Sequence, residues 1–246
     1  LYHLGLSEQS MLLIDSLYTN ATTKIKWNGQ LSESFNIEQG VRQGGTLSAD
    51  LYKIYINQLL NLLEDSNLGG KIGSISCCAP TCADDIALVS DNPYNLQAMV
   101  NIASDYSKRE GYHLQPTKSV ILPVKTSNRL FDNIDLDLNG ELMPVVDKTP
   151  HIGIQRAFKD SASATIEENL KKARRSLYSL MASGLHGENG LDPVTALSLV
   201  KTYIIPVIMV MLYVLETLRP NGKNLDLISK QYKKMLKQIL SLTTNV

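Results

Sequence analysis

The 246-residue sequence lacks several features that would mark particular protein classes. It has no excess of either charge sign, few cysteines and no long apolar run. Lys and Arg number 24, and so do Asp and Glu, so the strongly basic balance that is the simplest signature of a nucleic-acid binder is missing. Hydrophobic residues make up 43% and charged residues 20%, which excludes intrinsic disorder and collagen-like repeats. The length suits one large domain or two unequal ones.

The cysteines and the hydropathy pattern both favour an intracellular protein without a membrane span. Cys77, Cys78 and Cys82 are too closely spaced for a secreted disulfide framework or a paired Cys-x-x-Cys zinc site, so we expect free thiols. No basic stretch followed by an apolar run opens the chain, so no signal peptide is predicted. The most apolar segment, 203–215, is shorter than the ~20 residues that cross a bilayer, and Pro206 interrupts it. We expect a location in the nucleus or cytoplasm.

The neutral average hides an uneven distribution of charge. Residues 1–170 hold 13 Lys and Arg against 20 Asp and Glu, whereas residues 171–246 hold 11 against 4. The pattern also changes near 160–165, from mixed strands and helices to helical periodicity. We therefore predict an α+β protein with an antiparallel sheet and helices over 1–160 and a mostly helical region over 161–246. The chain begins with Leu1 and not Met, and we expect it to be a fragment.

Local signals predict the main elements. Ser7 is expected to cap a first helix, Ser48 a helix over 49–64, and Asp91 or Asn92 a helix from Pro93 to about residue 110. The Asn-Gly pair at 28–29 predicts a hairpin. Further expectations are a strand, tight turn and strand over 72–90, strands at 119–124 and 151–154, and helices at 165–183, 193–217 and 225–241.

Asp84 and Asp85 form the most informative unit, because they are adjacent carboxylates at a bend between apolar strands. Like charges side by side repel unless a cation or protons compensate them, and Mg²⁺ prefers carboxylate oxygen. The alternative is a solvated turn, since Asp favours turns. About forty residues upstream, the glycine-rich segment 40–48 leads into a helix, where glycines permit close backbone approach and a helix N-terminus favours phosphate. Taken alone, that segment also fits an ordinary turn.

The order of the motifs is more specific than any one of them. It runs from the Asn-Gly hairpin through Gly-Val-Arg-Gln-Gly-Gly-Thr-Leu-Ser at 40–48, Tyr-Lys-Ile-Tyr-Ile-Asn at 52–57, Cys-Ala-Asp-Asp at 82–85 and Leu-Gln-Pro-Thr-Lys at 114–118 to Ile-Gly-Ile at 152–154. This series resembles the reverse transcriptases of non-LTR (LINE-type) retrotransposons. The likeness is strong over 1–125 and looser over 126–246, where Gly-Leu-His-Gly at 184–187 and Tyr-Ile-Ile-Pro at 203–206 are similar to the C-terminal region of such proteins.

The resemblance implies a right-hand polymerase palm over 1–160 and a helical thumb-like region over 161–246. Asp84 and Asp85 would bind Mg²⁺ (or Mn²⁺) and serve as the catalytic carboxylates of RNA-templated DNA synthesis. Arg42, Gln43, Gly44 and Gly45 would line the pocket for nucleotide and template. Lys118 would lie near the nucleotide phosphates, although a solvated surface lysine is the alternative. The implied primer grip is His151, Ile152, Gly153 and Ile154, with a structural strand as the alternative.

Three departures from the family pattern bear on activity. Cys82 replaces the usual aromatic residue before Ala-Asp-Asp, and Ala49 replaces the usual Pro after Leu-Ser; both changes are modest. The third is more serious, because the family's further palm aspartate would lie upstream of Leu1. We therefore expect this chain alone to have little or no polymerase activity.

The basic C-terminal region suggests the partners. Lys171, Lys172, Arg174 and Arg175 form a run in one predicted helix, suited to the phosphate backbone of a primer–template duplex. The alternative is a solvated helical face. Expected partners are an RNA template, a DNA primer and deoxynucleoside triphosphates; the sequence does not determine an oligomeric state. Two rival functions are a non-catalytic remnant that binds nucleic acid or protein and, more weakly, a metal-dependent phosphohydrolase.

Overall fold

The computed structural model describes residues 1–124, 135–184, 190–210 and 222–242. Contacts divide the chain into two compact units, Leu1–Gly111 and Tyr112–Val246. Each unit combines helices with small antiparallel sheets. The predicted α+β class is therefore confirmed.

Seven α-helices lie in the described part of the chain. Their N-termini follow local capping chemistry: the Ser7 side chain accepts a hydrogen bond from the Ser10 amide, and Asn92 from that of Tyr94, as the sequence predicted. Asp160 and Asp192 cap two later helices in the same way. The helices are α1 (Glu8–Tyr18), α2 (Ser48–Asp65), α3 (Pro93–Arg109), α4 (Ser161–Ala182), α5 (Pro193–Leu199), α6 (Ile205–Met209) and α7 (Lys223–Ile239).

The strands are short and pair into two-stranded antiparallel sheets. Most pairs are neighbours in sequence, and one pair, β1 with β4, encloses another, β2 with β3. The strands are β1 (Thr22–Thr23), β2 (Lys26–Trp27), β3 (Gln30–Leu31), β4 (Phe35–Asn36), β5 (Lys71–Ile72), β6 (Ile75–Ser76), β7 (Thr81–Cys82), β8 (Asp85–Ile86), β9 (Asp137–Leu138), β10 (Glu141–Leu142), β11 (Lys148–His151) and β12 (Ile154–Ala157).

The predicted Asn-Gly hairpin is confirmed, because Asn28 (φ 46°) and Gly29 (φ 79°) form the turn between β2 and β3. Two local predictions are wrong. Ser48 does not cap α2; it is the first residue of that helix, and its buried hydroxyl donates to the Arg42 carbonyl instead. Residues 119–124 form no strand beyond a single parallel bridge between Ile121 and Val145.

The apolar segment after residue 193 is helical, but it is interrupted. A π-helical stretch, Val200–Ile204, joins α5 to α6, and the Ile205 amide donates to the Val200 carbonyl just before Pro206. The predicted end of this helix, 211–217, and residues 185–187 of the Gly-Leu-His-Gly motif lie outside the described residues. No helix in the described ranges is long and apolar enough to cross a membrane.

Each unit has its own apolar contacts. In the first, α2 packs on α3 through the fully buried Leu59, Leu63 and Met99, whereas α1 buries none of its residues. In the second, α4 forms a core with the α5–α6 segment and α7. That core contains Ile166, Leu170, Ala173, Leu177, Ala196, Val200, Ile204, Ile208, Met235 and Ile239. α4 therefore presents its apolar face inward and leaves the opposite face to solvent.

Candidate active site

The two adjacent carboxylates lie at the tip of the β7–β8 hairpin. Cys82 pairs with Asp85 across the hairpin, and Ala83 and Asp84 form the two-residue turn. Ala83 has φ 52°, the sign that a tight hairpin turn requires at its first central position. Asp84 and Asp85 are both exposed. The bend predicted from sequence therefore presents two charged oxygen groups to solvent.

Asp84 also acts electrostatically on a tyrosine of α2. Burial raises the pKa of the Tyr52 hydroxyl above its ordinary value, and the charge of Asp84 and the neighbouring Tyr55 add to the rise. The rings of Tyr52 and Tyr55 lie with their centroids 6.4 Å apart. The sequence drew attention to Tyr52 only as part of a motif, and periodicity gave no sign of its link to the hairpin.

The glycine-rich loop before α2 is held by its own hydrogen bonds. The Gly45 amide donates to the Arg42 carbonyl at 3.0 Å, which closes a turn over Gln43 and Gly44, and Gly44 has φ 79°. A Cβ on Gly45 would lie 2.6 Å from the Ser48 Oγ and 3.1 Å from the Arg42 carbonyl oxygen. Gly45 is therefore required by close packing, and Gly44 by backbone conformation.

Arg42 joins this loop to α1. Its Nη2 donates to the main-chain carbonyl of Leu17 at 2.9 Å. That carbonyl belongs to the last turn of α1, where carbonyls have no partner within the helix and carry partial negative charge. Arg42 therefore positions the loop, a role that sequence reasoning missed, while Gln43, Gly44 and Gly45 remain exposed.

The remaining predicted site residues belong to the second unit. Lys118 is exposed and ends a short turn in which its amide donates to the Gln115 carbonyl at 3.1 Å. Lys171, Lys172, Arg174 and Arg175 are exposed on α4 and alternate along the sequence with its buried residues Leu170, Ala173 and Leu177. No ion pair joins these five cations to a carboxylate within the described ranges. The four cations on α4 form one solvent-facing basic surface.

The expected strand at 151–154 is instead a hairpin turn. His151 ends β11, Ile154 begins β12, and the two residues pair across the turn formed by Ile152 and Gly153. The prediction was wrong because Ile152 (φ 52°) and Gly153 (φ 74°) both adopt left-handed backbone conformations, which end a strand. The Nε2 of His151 is buried and has no hydrogen-bond partner among the described residues.

The donor set at the β7–β8 tip suits a hard divalent cation. Mg²⁺ is commonly bound by one or two carboxylates while it keeps water or phosphate oxygens as its other ligands, and Asp84 and Asp85 are exposed enough to allow this. In the described ranges, no three His, Cys, Asp or Glu side chains form a group able to hold a metal ion. The hairpin thus offers two carboxylates and relies on other groups for further ligands.

Residues 3–141, which include this hairpin and the glycine-rich loop, match the family model described as reverse transcriptase (RNA-dependent DNA polymerase). The match covers more than half of the chain, which therefore belongs to the reverse transcriptase family. This confirms the resemblance read from the ordered motifs.

Two relatives indicate the branch of the family. Over 214 residues, 84% of this chain and 29% of the relative, the sequence is 25% identical to a retrovirus-related Pol polyprotein from type-1 retrotransposable element R2 of Popillia japonica. Over 112 residues, 46% of this chain and 10% of the relative, it is 29% identical to the corresponding polyprotein from type-2 retrotransposable element R2DM of Drosophila melanogaster. The predicted likeness to non-LTR retrotransposon proteins is confirmed. The chain spans less than a third of the length of these curated relatives.

Proposed function

We propose that this chain is part of a non-LTR retrotransposon polymerase that copies an RNA template into DNA from a DNA primer. The observation that carries the proposal is the exposed Asp84–Asp85 pair at a hairpin tip, inside the segment that matches the reverse transcriptase model. Residues 1–160 would form part of the palm and residues 161–246 the thumb-like region. The protein would act in the nucleus or cytoplasm.

Asp84 and Asp85 would hold Mg²⁺ or Mn²⁺, with Asp84 as the principal ligand. The chemistry supplied by a metal held there would be activation of the primer 3′-hydroxyl and stabilisation of charge on the departing pyrophosphate. The protein's own contribution is to hold the two carboxylates on a tight turn. Their exposure leaves room for the triphosphate of a deoxynucleoside triphosphate.

The glycine-rich loop supports a role beside the nucleotide and template. Its exposed Gly44 and Gly45 have no side chain that would block a base pair, Gln43 beside them is also exposed, and Arg42 and Ser48 hold the shape of the loop. Lys118 would contact the nucleotide phosphates. The turn from His151 to Ile154 would contact the primer through its exposed residues Ile152 and Gly153.

We further propose that residues 1–246 alone have little or no polymerase activity. Two metals in catalytic geometry need a third carboxylate beside Asp84 and Asp85. The second candidate function is a non-catalytic remnant that binds nucleic acid or protein, and the exposed basic surface of α4 favours nucleic acid.

Primer extension tests these proposals. The 246-residue chain is incubated with an RNA template, a DNA primer, deoxynucleoside triphosphates and Mg²⁺, in parallel with a polypeptide extended to the length of the R2-type relatives. We expect incorporation only by the extended protein. Robust synthesis by residues 1–246 would contradict the proposed inactivity, and no synthesis by either protein would favour the remnant.

In the extended protein, Asp84→Asn should abolish incorporation and leave template binding unchanged. Asp91→Asn is the matched control, since Asp91 is also an exposed carboxylate of the first unit, and it should leave both properties intact. If Asp84→Asn removes binding as well, the change has unfolded the domain and the assignment loses its support.

A further inference from the structure

A polar depression lies between α4 and α7 in the second unit. Its lining consists of Arg174 and Tyr178 from α4 and of Gln231, Lys234, Met235 and Gln238 from α7. Arg174 and Tyr178 are one helical turn apart, and so are Gln231 and Lys234, so each helix contributes one continuous stripe. Met235 is 2% exposed and forms an apolar floor beneath these polar groups.

The depression carries positive charge without a compensating carboxylate. None of its lining residues is acidic, and neither Arg174 nor Lys234 makes an ion pair within the described ranges. The one ion pair within α7 joins Lys230 to Asp226, at 2.8 Å, and neither residue lines the depression. Lys171, Arg175, Lys233 and Lys237 add further cations on the same two helices.

The lining groups suit a phosphate. Arg presents a planar fork of N–H donors that fits two phosphate oxygens, and Lys adds a compact point charge. The Gln231 and Gln238 amides and the Tyr178 hydroxyl supply neutral donors for a third oxygen. Tyr178 is 53% exposed, so a ligand can reach it from solvent.

We propose that this depression binds one phosphate of a nucleic-acid backbone and thereby bridges α4 and α7. The phosphate chemistry follows from the lining residues alone, whereas the nucleic-acid source rests on the proposed polymerase function. The anion removes the repulsion between Arg174 and Lys234, which face each other across the helix pair. Phosphate binding therefore stabilises the α4–α7 packing as well as holding the duplex.

The first test is duplex binding by the 246-residue chain. A fluorescent RNA–DNA duplex is titrated at several salt concentrations with wild type, with Arg174→Gln/Lys234→Gln, and with Lys148→Gln/Lys201→Gln. Both double variants lose two exposed positive charges from the second unit, but Lys148 and Lys201 lie on neither α4 nor α7 and do not line the depression. Because a single phosphate contact is lost, we expect the first pair to lower the slope of log K against log salt by about one and to weaken binding at least tenfold. The control pair should leave the slope nearly unchanged.

The second test is thermal unfolding in sodium phosphate against sodium chloride at equal ionic strength. Phosphate should raise the unfolding midpoint of wild type and of Lys148→Gln/Lys201→Gln by more than that of Arg174→Gln/Lys234→Gln, in which only the general stabilising effect of this anion remains. This measurement needs neither polymerase activity nor nucleic acid, so it examines the depression separately from the proposed function.

Three results would overturn the proposal. Equal losses of duplex binding in the two double variants would mean that the duplex binds a diffuse basic surface and that the depression is not a defined phosphate-binding site. Phosphate could raise the unfolding midpoint only when Arg174 and Lys234 are present, while replacement of these two residues causes no selective loss of duplex binding. That pair of results would mean that the depression is a site for free phosphate. Displacement of the duplex by poly-glutamate as readily as by polyphosphate would indicate an acidic peptide. Failure of wild type to bind any duplex would instead count against the polymerase assignment.

Discussion

Arg42 and Leu17 are joined by a hydrogen bond of 2.9 Å, from the Nη2 of the guanidinium to the main-chain carbonyl oxygen. The bond links the glycine-rich loop to the last turn of α1, 25 residues earlier in the chain. Because α1 fully buries none of its residues, this contact adds a polar link where apolar packing is slight. The shape of the proposed nucleotide pocket thus depends on a helix that lies outside the motif.

Arg42→Ala should loosen the loop. Loss of one hydrogen bond to a charged donor at an exposed position removes about 1 kcal/mol, which corresponds to roughly fivefold faster opening. Hydrogen exchange of the Gly45 amide, which donates to the Arg42 carbonyl, reports that opening. Lys26→Ala removes an exposed cation from β2 and should leave the exchange rate unchanged. Equal acceleration in both variants would mean that net charge, and not the Leu17 contact, controls the loop.

Gly45→Ala should destabilise the first unit by more than Gly44→Ala. A methyl group at residue 44 meets only the cost of a left-handed backbone, about 1 kcal/mol, because no atom lies within 4 Å. At residue 45 it meets the Ser48 Oγ at 2.6 Å. Urea denaturation of Gly45→Ala, Ser48→Ala and the double variant checks the cause, since removal of the hydroxyl relieves part of the clash. Strictly additive losses would contradict the clash.

Asp84→Asn should lower the pKa of Tyr52 toward its ordinary value of 10.0, because a negative neighbour disfavours the phenolate. Since the folded pKa is raised, the associated stability is present below pH 10 and is lost as pH rises through the folded pKa. A ¹³C NMR titration of the tyrosine rings without divalent metal measures the change. Asp85→Asn is the control and should move the Tyr52 titration less. An unchanged titration in Asp84→Asn would show that burial alone sets this pKa.

Asn169→Asp should destabilise the second unit. The buried Asn169 Nδ2 donates to the carbonyls of Ile208, at 3.2 Å, and Val210, at 2.8 Å, and so ties α4 to the end of α6. A carboxylate would face both carbonyl oxygens without a proton to donate, at a cost of about 1–3 kcal/mol or more. Hydrogen exchange in α4 and α6 measures the loss. The same change at the exposed Asn57 of α2 should have little effect on stability. If Asn→Asp were equally destabilising at both positions, the proposed role of Asn169 in joining α4 to α6 would be wrong.

Ile152→Asn should stabilise the β11–β12 hairpin by about 1 kcal/mol, because a β-branched residue is strained at φ 52° and Asn tolerates that region. The turns at 28–29 and 139–140 already place Asn-Gly in this conformation. Thermal unfolding of the second unit shows whether Ile152→Asn raises or lowers its stability. Leu142→Asn, at an exposed strand position of the same unit with ordinary φ, should not be stabilising. A lower midpoint for Ile152→Asn would mean that the Ile152 side chain contributes packing that outweighs the backbone strain.

The sequence predicted elements well where the signal lies within a few residues. Asn92 followed by Pro93 marked the start of α3, and the Asn-Gly pair marked the β2–β3 turn, because caps and tight turns depend on adjacent groups. It failed at Ser48, whose hydroxyl found a carbonyl six residues away in place of the cap, and at 151–154, where apolar character concealed a turn. Hydropathy alone does not distinguish a strand from a turn that contains an isoleucine.

The sequence by itself determined the family, the α+β class and the Asp84–Asp85 pair at a bend, because ordered motifs and short-range backbone preferences are written in consecutive residues. Only the tertiary structure decided that Arg42 reaches Leu17, that Asn169 reaches residues 39 and 41 positions away, and that Arg174 and Lys234 face one depression. These contacts join groups that are distant in sequence, and nothing local identifies their partners. The positions of Asn169, Arg174 and Lys234 follow from how α4 packs on α6 and α7, which depends on the buried core of the second unit as a whole.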